Sequence, residues 1–111
     1  MAWWKHVGDE MKFAAEKMAK SNLFETDRMF CDLYGLEPGQ SQKSHVHGDA
    51  DKVYYVLEGE GLFEVGKESR VLGPGIVVHA AAGEPHGVTN TGKSRLALLV
   101  VMAPHPRFKR I

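Results

Sequence analysis

Several features that often define a protein class are scarce in this sequence. Cys31 is the only cysteine among 111 residues, so an internal disulfide is excluded and a reducing compartment fits. Fourteen basic and fourteen acidic residues cancel, which leaves no electrostatic footprint for nucleic acid or an anionic membrane. The apolar run LALLVVMAP after Arg95 is too short to cross a bilayer, and the first residues lack a signal-peptide core. We therefore expect a cytoplasmic protein that binds neither nucleic acid nor membrane.

The N-terminal segment, residues 1–27, differs in composition from the rest of the chain. The stretch GDEMKFAAEKMAK is rich in Ala, Met, Lys and Glu, which predicts a short helix. Its apolar face would comprise Met11, Ala14, Ala15 and Met18. Trp3 and Trp4 precede it, and we expect this indole pair to cover a sheet edge or to enter a subunit interface.

From about residue 28 to 102 the pattern changes to short β-prone runs separated by glycine-rich turns. The runs are RMFCDLYGL, KVYYVL, LFEV, SRVL, IVVHAA, HGVTN and RLALLVVMA. Roughly eight short strands with little helix indicate a single all-β domain, and a jelly-roll barrel suits that number. Residues 103–111, which include two prolines, are expected to form an irregular tail.

Two histidines separated by one residue mark the first candidate site. In a strand, His45 and His47 leave the same face about 7 Å apart, where two imidazoles can chelate a metal if a third ligand faces them. By itself this pair is explained equally well as two surface histidines. His86 follows a Gly-x-Pro turn and begins another strand, so a small barrel can bring it to the first pair.

These residues resemble the two motifs of the cupin superfamily, over about residues 33–102. The first motif is matched by Gly39, five residues, His45-Val46-His47, four residues, Lys52, six residues and Gly59. The second is matched by Gly75, five residues, Ala81, Ala82-Gly83, two residues, His86, three residues and Asn90. Two positions depart: the family has glutamate where this chain has Lys52, and proline where it has Ala81.

The resemblance implies a double-stranded β-helix (jelly-roll) barrel whose interior binds one divalent metal. Carried over by position, the imidazole ligands are His45, His47 and His86. Three histidines suit zinc, iron, manganese, nickel or copper. The fourth ligand position falls on Lys52, whose ammonium is not a ligand and would repel a cation.

Lys52 leaves three alternatives open. The histidines could bind a metal without a protein carboxylate, or Asp49 or Asp51 could replace the glutamate. Strand alternation directs Asp51 to the opposite face unless a bulge intervenes. In the third alternative no metal binds, and Lys52 and the histidines form a pocket for an anion or a carbonyl compound. A desolvated lysine could there act as a base or form a Schiff base. The two metal-binding alternatives together are favoured over the third.

A different class of site is a minor alternative. His47, Asp49 and His86 could form a facial triad for iron, with Arg95 binding the carboxylate of a 2-oxo acid. Two further residues are candidates for the pocket itself. Tyr54 is expected in the barrel wall, and His79 is either a structural histidine or a group that shuttles protons to the site.

The sequence supports two hypotheses on function. One is a barrel with a three-histidine metal site that binds or converts a small polar metabolite; if it is an enzyme, it is a metal-dependent dioxygenase, isomerase or lyase. The other is a metal-free module that binds or senses a small molecule without catalysis. In either case we expect a homodimer, because small barrels of this kind expose strand edges.

Overall fold

The computed structural model describes residues 2–46 and 48–106, so His47 lies outside the described residues. Within them the chain has one short helix, α1 (Val7–Glu10), and nine strands. The strands are β1 (Ala19–Glu25), β2 (Phe30–Leu36), β3 (Ser41–His45), β4 (Asp51–Glu58), β5 (Gly61–Val65), β6 (Glu68–Leu72), β7 (Val77–Ala80), β8 (His86–Thr89) and β9 (Leu96–Ala103).

The strands form two antiparallel sheets that share one core. The five-stranded sheet has the order β1-β2-β9-β4-β7, and the four-stranded sheet has the order β3-β8-β5-β6. Tyr54 from the first sheet packs edge-to-face on Phe63 from the second, with ring centroids 5.5 Å apart. The predicted all-β jelly-roll architecture is confirmed, and a short helix is present near the N-terminus. No helix in the described part of the chain is long and apolar enough to span a bilayer.

Strand alternation decides which side chains enter the core. Along β4, Lys52, Tyr54 and Val56 are buried, whereas Asp51 and Tyr55 are exposed on the other face. The neighbouring strand β9 places Leu98 opposite Val56 and Met102 opposite Lys52. A charged residue therefore occupies one of the inward positions in a row that is otherwise apolar or aromatic.

Gly59 closes the turn that sends the chain from β4 into β5. Its φ of 78° lies in the left-handed region, and a Cβ atom there would collide with the carbonyl oxygen of Arg95. Both requirements favour glycine. The EGEG turn predicted here therefore requires glycine at position 59, because the backbone at Arg95 passes so close to it.

The N-terminal helix is much shorter than predicted, and the prediction was wrong beyond Glu10. His6 caps α1 through Nδ1, which accepts a 3.1 Å bond from the amide of Gly8. The chain then crosses Gly35 so closely that only glycine fits there. The side-chain amide of Gln40 donates to the carbonyls of Ala14 (2.7 Å) and Ala15 (3.3 Å). Tertiary contacts therefore replace the helical hydrogen bonds that propensity favoured.

The tryptophans lie on the surface next to an edge strand. Trp3 is 85% and Trp4 64% exposed. The following residue, Lys5, donates a 2.7 Å bond to the carbonyl of Leu23 in β1 and lies 5.2 Å from the ring centroid of Phe24. β1 belongs to segment 1–27 and pairs along β2, so much of this segment is part of the larger sheet.

Candidate functional site

The described histidines of the two motifs meet across a strand pair. His45 at the end of β3 is the register partner of His86 at the start of β8. Their ring centroids are 4.3 Å apart with planes tilted by 59°. His86 is buried, and His45 is partly exposed to a cavity. The barrel thus joins two residues that are 41 positions apart, as the sequence predicted for His86 and the first motif.

Backbone hydrogen bonds orient both rings in the same way. Nδ1 of His45 lies 2.8 Å from the carbonyl oxygen of Lys43, and Nδ1 of His86 lies 3.0 Å from that of Glu84. Because a carbonyl only accepts, each Nδ1 carries the proton, and in a neutral ring the lone pair is then on Nε2. Burial lowers the pKa of His45, more than its backbone bond raises it. The neutral form, which binds metals, is therefore favoured.

Lys52 lies in the barrel interior with 1% of its surface exposed. Its Nζ is 5.2 Å from the ring centroid of Tyr34 and 5.1 Å from that of Tyr54. No salt bridge to Lys52 occurs within residues 2–46 and 48–106. Its pKa is lowered to about 7, mainly by burial and to a smaller extent by the charge of Lys20, while Asp32 opposes the shift. The amine therefore titrates near neutral pH.

A cavity of about 380 Å³ opens onto these groups. Its lining includes Lys20, Tyr34, Gln42, His45, Lys52 and Met102. No aspartate or glutamate is among the described residues that line it. With two lysines and no acid in its wall, the cavity is suited electrostatically to an anion.

A tyrosine–glutamine network connects the walls of this site. The hydroxyl of Tyr54 donates a 2.6 Å bond to Oε1 of Gln42, and Nε2 of Gln42 donates a 3.4 Å bond to the hydroxyl of Tyr34. Burial raises the pKa of Tyr54 and raises that of Tyr34 to about 12. Both phenols are therefore neutral at physiological pH and act as hydrogen-bonding groups.

Asp51 and His79, two of the predicted pocket candidates, lie on the outer face of the barrel. Asp51 Oδ1 accepts a 3.0 Å bond from the amide of Ala82 and lies 3.5 Å from Nε2 of His79. The β4–β9 register is continuous from Asp51 to Val56, so no bulge turns Asp51 inward. Asp49 is also exposed. The structure therefore places none of the three in the interior with Lys52.

The described residues contain no group of three or more His, Cys, Asp or Glu side chains that could hold a metal ion. The third predicted ligand, His47, lies outside them. Arg95 does not support the iron-triad alternative. It precedes β9, whereas Met102, which lines the cavity, lies near the other end of that strand. Arg95 instead forms a two-bond ion pair with Glu37, at 3.1 and 3.2 Å.

Five residues that line the cavity have no role in the prediction from sequence: Lys20, Phe30, Tyr34, Gln42 and Pro106. The composition of the N-terminal segment predicts Lys20 in a helix, and the two motifs assign no role to the other four. The alternation in AKSNLFE, which forms β1, could have indicated a strand that carries Lys20 to the barrel. Gln42 has no such signal, because the β3–β8 register shifts between it and His45.

Comparison with known proteins identifies the fold and its relatives. A family model for a cupin domain matches residues 32–102. The chain belongs to the cupin superfamily. It is 32% identical over 88 residues to an oxalate-binding protein of Thermotoga maritima, an alignment that covers 79% of this chain and 72% of the relative.

Solved structures show the same relationship. The protein TT1209 of Thermus thermophilus superposes with a TM-score of 0.88 at 50% identity, covering 91% of this cupin and 96% of that chain. An uncharacterized conserved protein with a double-stranded β-helix domain from Klebsiella pneumoniae gives 0.87 at 25% identity, covering 94% and 91%. The predicted membership of the family and its barrel type are therefore confirmed.

Proposed function

We propose that this cupin binds a small carboxylate metabolite in the cavity at Lys52, together with one divalent metal held by His45, His47 and His86. The observation that carries the proposal is the His45–His86 pair, with both Nδ1 atoms bonded to carbonyls, beside a cavity whose described lining has two lysines and no acid. His47 lies outside the described residues, so its part rests on the motif.

The donor set fits a transition metal. Two neutral imidazoles with their lone pairs on Nε2 form a partial site, and bonding of Nδ1 to a carbonyl is the usual support for such ligands. When bound, the metal would supply Lewis acidity to a coordinated oxygen. The residues of this chain bind and orient the ligand and keep it from bulk water.

Lys52 gives a reason for an anionic ligand. Where the family has a carboxylate, this chain places an ammonium beside the histidines, which makes the site more positive by two charges when the lysine is protonated. A carboxylate that enters the cavity supplies the missing negative charge to both the lysine and the metal. The oxalate-binding relative from Thermotoga maritima supports the same class of ligand.

Metal analysis of untagged protein tests the metal site. We expect about one transition metal per chain after reconstitution, and loss of it in His45→Ala and His86→Ala. His79→Ala is the matched control, because His79 is on the outer face, and this variant should keep its metal. A wild-type protein without metal, or the same metal content in all variants, would overturn this part of the proposal.

A metal-free binding module is the second candidate, and the buried Lys52 at the glutamate position favours it. Oxalate binding that survives removal of metal by a chelator would support this candidate.

The variant Lys52→Glu restores the family's ligand and should raise metal affinity. An unchanged affinity would show that residue 52 does not face the metal. If the chain is a metal-dependent dioxygenase, isomerase or lyase, its activity should disappear in His86→Ala.

We further propose that the chain acts in the cytoplasm as a homodimer, with Trp3 and Trp4 in the interface. Two large indoles exposed next to the edge strand β1 support this assignment. Light scattering after size exclusion should give twice the chain mass, and Trp3→Ser with Trp4→Ser should give the monomer mass. A monomeric wild type would contradict the proposal.

A further inference from the structure

Lys52 has the environment of a reactive amine. Its Nζ is enclosed between the rings of Tyr34 and Tyr54, at 5.2 and 5.1 Å from their centroids, and the side chain is 1% exposed. Within residues 2–46 and 48–106 no carboxylate forms a salt bridge with it. A structural lysine in a core is ordinarily paired with a carboxylate, since an unpaired buried ammonium is costly. The absence of such a partner in this part of the chain favours the neutral amine.

The amine is also accessible to a small molecule. Lys52 is part of the wall of the cavity of about 380 Å³, so a ligand that enters lies against this side chain. The surrounding barrel residues bury Lys52, and the cavity still leaves space next to its side chain. Nucleophilic lysines require both conditions, a desolvated amine and an open approach for the electrophile.

A second lysine at the same cavity selects the charge of the electrophile. Nζ of Lys20 lies 5.3 Å from the ring centroid of Tyr34, the ring that Lys52 also contacts. Asp32, the acid whose charge acts on Lys52, is held by a 2.8 Å hydrogen bond from Asn22 and is not among the described residues that line the cavity. The charge of Asp32 also interacts with Lys20, but Lys20 forms no salt bridge within the described residues and can pair with a carboxylate of the ligand.

We propose that Lys52 forms an imine with 2-oxo acids, with Lys20 binding the carboxylate and Lys52 Nζ attacking the adjacent carbonyl carbon. The inference rests on the proposed function, because it uses the same cavity and the same negatively charged class of ligand. It adds a covalent bond between the ligand and Lys52. It requires neither a metal nor a redox cofactor.

Imine formation conserves atoms and electrons. The lone pair of neutral Nζ forms a C–N bond to the carbonyl carbon, and the π electrons of C=O move to oxygen, which takes a proton while nitrogen loses one. The resulting carbinolamine then loses water as the C–O bond breaks and the C=N bond forms. The products are the imine and one water, so nothing is oxidised or reduced. The pKa of Lys52, lowered to about 7, leaves much of the amine neutral under physiological conditions.

Reductive trapping tests the inference. The wild-type protein is incubated with pyruvate and sodium cyanoborohydride at about pH 8, and adducts are located by peptide mass spectrometry. We expect one adduct, on Lys52, formed roughly tenfold or more faster than on Lys43 and the other lysines. Lys52→Arg keeps the charge and should lose this adduct. Lys20→Met should slow trapping of pyruvate but not of uncharged acetaldehyde.

The outcomes separate this inference from the proposed function. Oxalate cannot form the imine, so its binding, measured by calorimetry, reports on the carboxylate site alone. If oxalate binds and pyruvate gives adducts spread over surface lysines, or gives the same adducts in Lys52→Arg, the imine is ruled out and the proposed function stands. If pyruvate is trapped on Lys52 while oxalate does not bind, the imine is supported and the proposed carboxylate binding fails.

Discussion

The two ends of the barrel interior are built by the same strands but differ in chemistry. Along β4, the inward row runs from Lys52 through Tyr54 to Val56. At the Val56 end, Leu98 is its neighbour on β9 and both are fully buried in an apolar cluster. At the Lys52 end, the interior contains His86 and opens onto the cavity. Within five residues, one strand therefore contributes both to the apolar core and to the polar cavity.

The contrast between the two ends shows how stability and binding are divided in this fold. Burial of aliphatic side chains at the Val56 end stabilises the barrel. At the Lys52 end the chain buries polar groups, which costs free energy unless a partner compensates for it. Within the described residues the ammonium of Lys52 has no ion-pair partner, which is the arrangement expected where an anionic ligand is to bind.

The largest expected effect comes from truncation at the apolar end. Leu98→Ala removes a fully buried side chain and should lower the free energy of unfolding by about 3 kcal/mol. Its oxalate affinity should stay within about twofold of wild type, since the polar end is unchanged. Urea unfolding and calorimetry measure the two quantities. A large loss of affinity without a loss of stability would show that the two ends are not separable.

Lys52→Met should have the opposite effect on stability. The folded-state pKa of Lys52, about 7, is below its unfolded value near 10.5, so the unfolded state binds more protons between these values. The wild type should therefore gain stability as pH rises from 7 to about 10, and the penalty is fully present below pH 7. The variant should be roughly 2–3 kcal/mol more stable at pH 6 and should lack this part of the pH dependence.

Lys20→Met is the matched control for that experiment. Lys20 lines the same cavity but is exposed, and its charge lowers the pKa of Lys52 less than burial does, so its removal should weaken but not abolish the pH dependence between 7 and 10. If Lys52→Met and wild type show parallel stability curves over this range, the lysine titrates normally and the account of the polar end is wrong.

Tyr54→Phe should have an intermediate effect. The substitution removes the 2.6 Å hydrogen bond to Gln42 and keeps the ring packed on Phe63 and over Lys52. A loss of about 1 kcal/mol in unfolding free energy is expected. Thermal unfolding at a fixed pH measures it. A neutral effect would indicate that water replaces the hydroxyl and that the network does not rigidify the polar end.

The smallest effect is expected on the outer face of the same strands. Asp51→Asn weakens an ion pair whose side chains are 58% and 61% exposed, which should change stability by less than about 0.5 kcal/mol. Oxalate and metal affinities should not change. A marked loss of either would place Asp51 in the site after all and would restore the alternative that it replaces the family glutamate.

Much of this arrangement could be predicted from the sequence, because strand periodicity has a simple geometric consequence. The two-residue repeat around Lys52 determined that Lys52 and Asp51 face opposite ways, and the motif spacing indicated that His86 would meet His45. Both follow from local pattern and from a family resemblance that spans the barrel.

The remaining features depend on contacts between distant segments. The helix predicted after Gly8 ends at Glu10 because residues 11–13 pack on Gly35 and Gln40 binds the carbonyls beyond them. No local pattern contains that information. The same holds for the cavity, where Lys20 and Lys52 meet the Tyr34 ring from different strands.

The most direct test of the central claim is a calorimetric titration of oxalate into the wild-type protein and into Lys52→Met, just below pH 7. We predict saturable binding to the wild type and an affinity roughly tenfold or more lower in the variant, since one charge-assisted contact is lost. Equal affinities, or no binding to the wild type, would contradict the claim that the Lys52 end of the barrel binds a carboxylate.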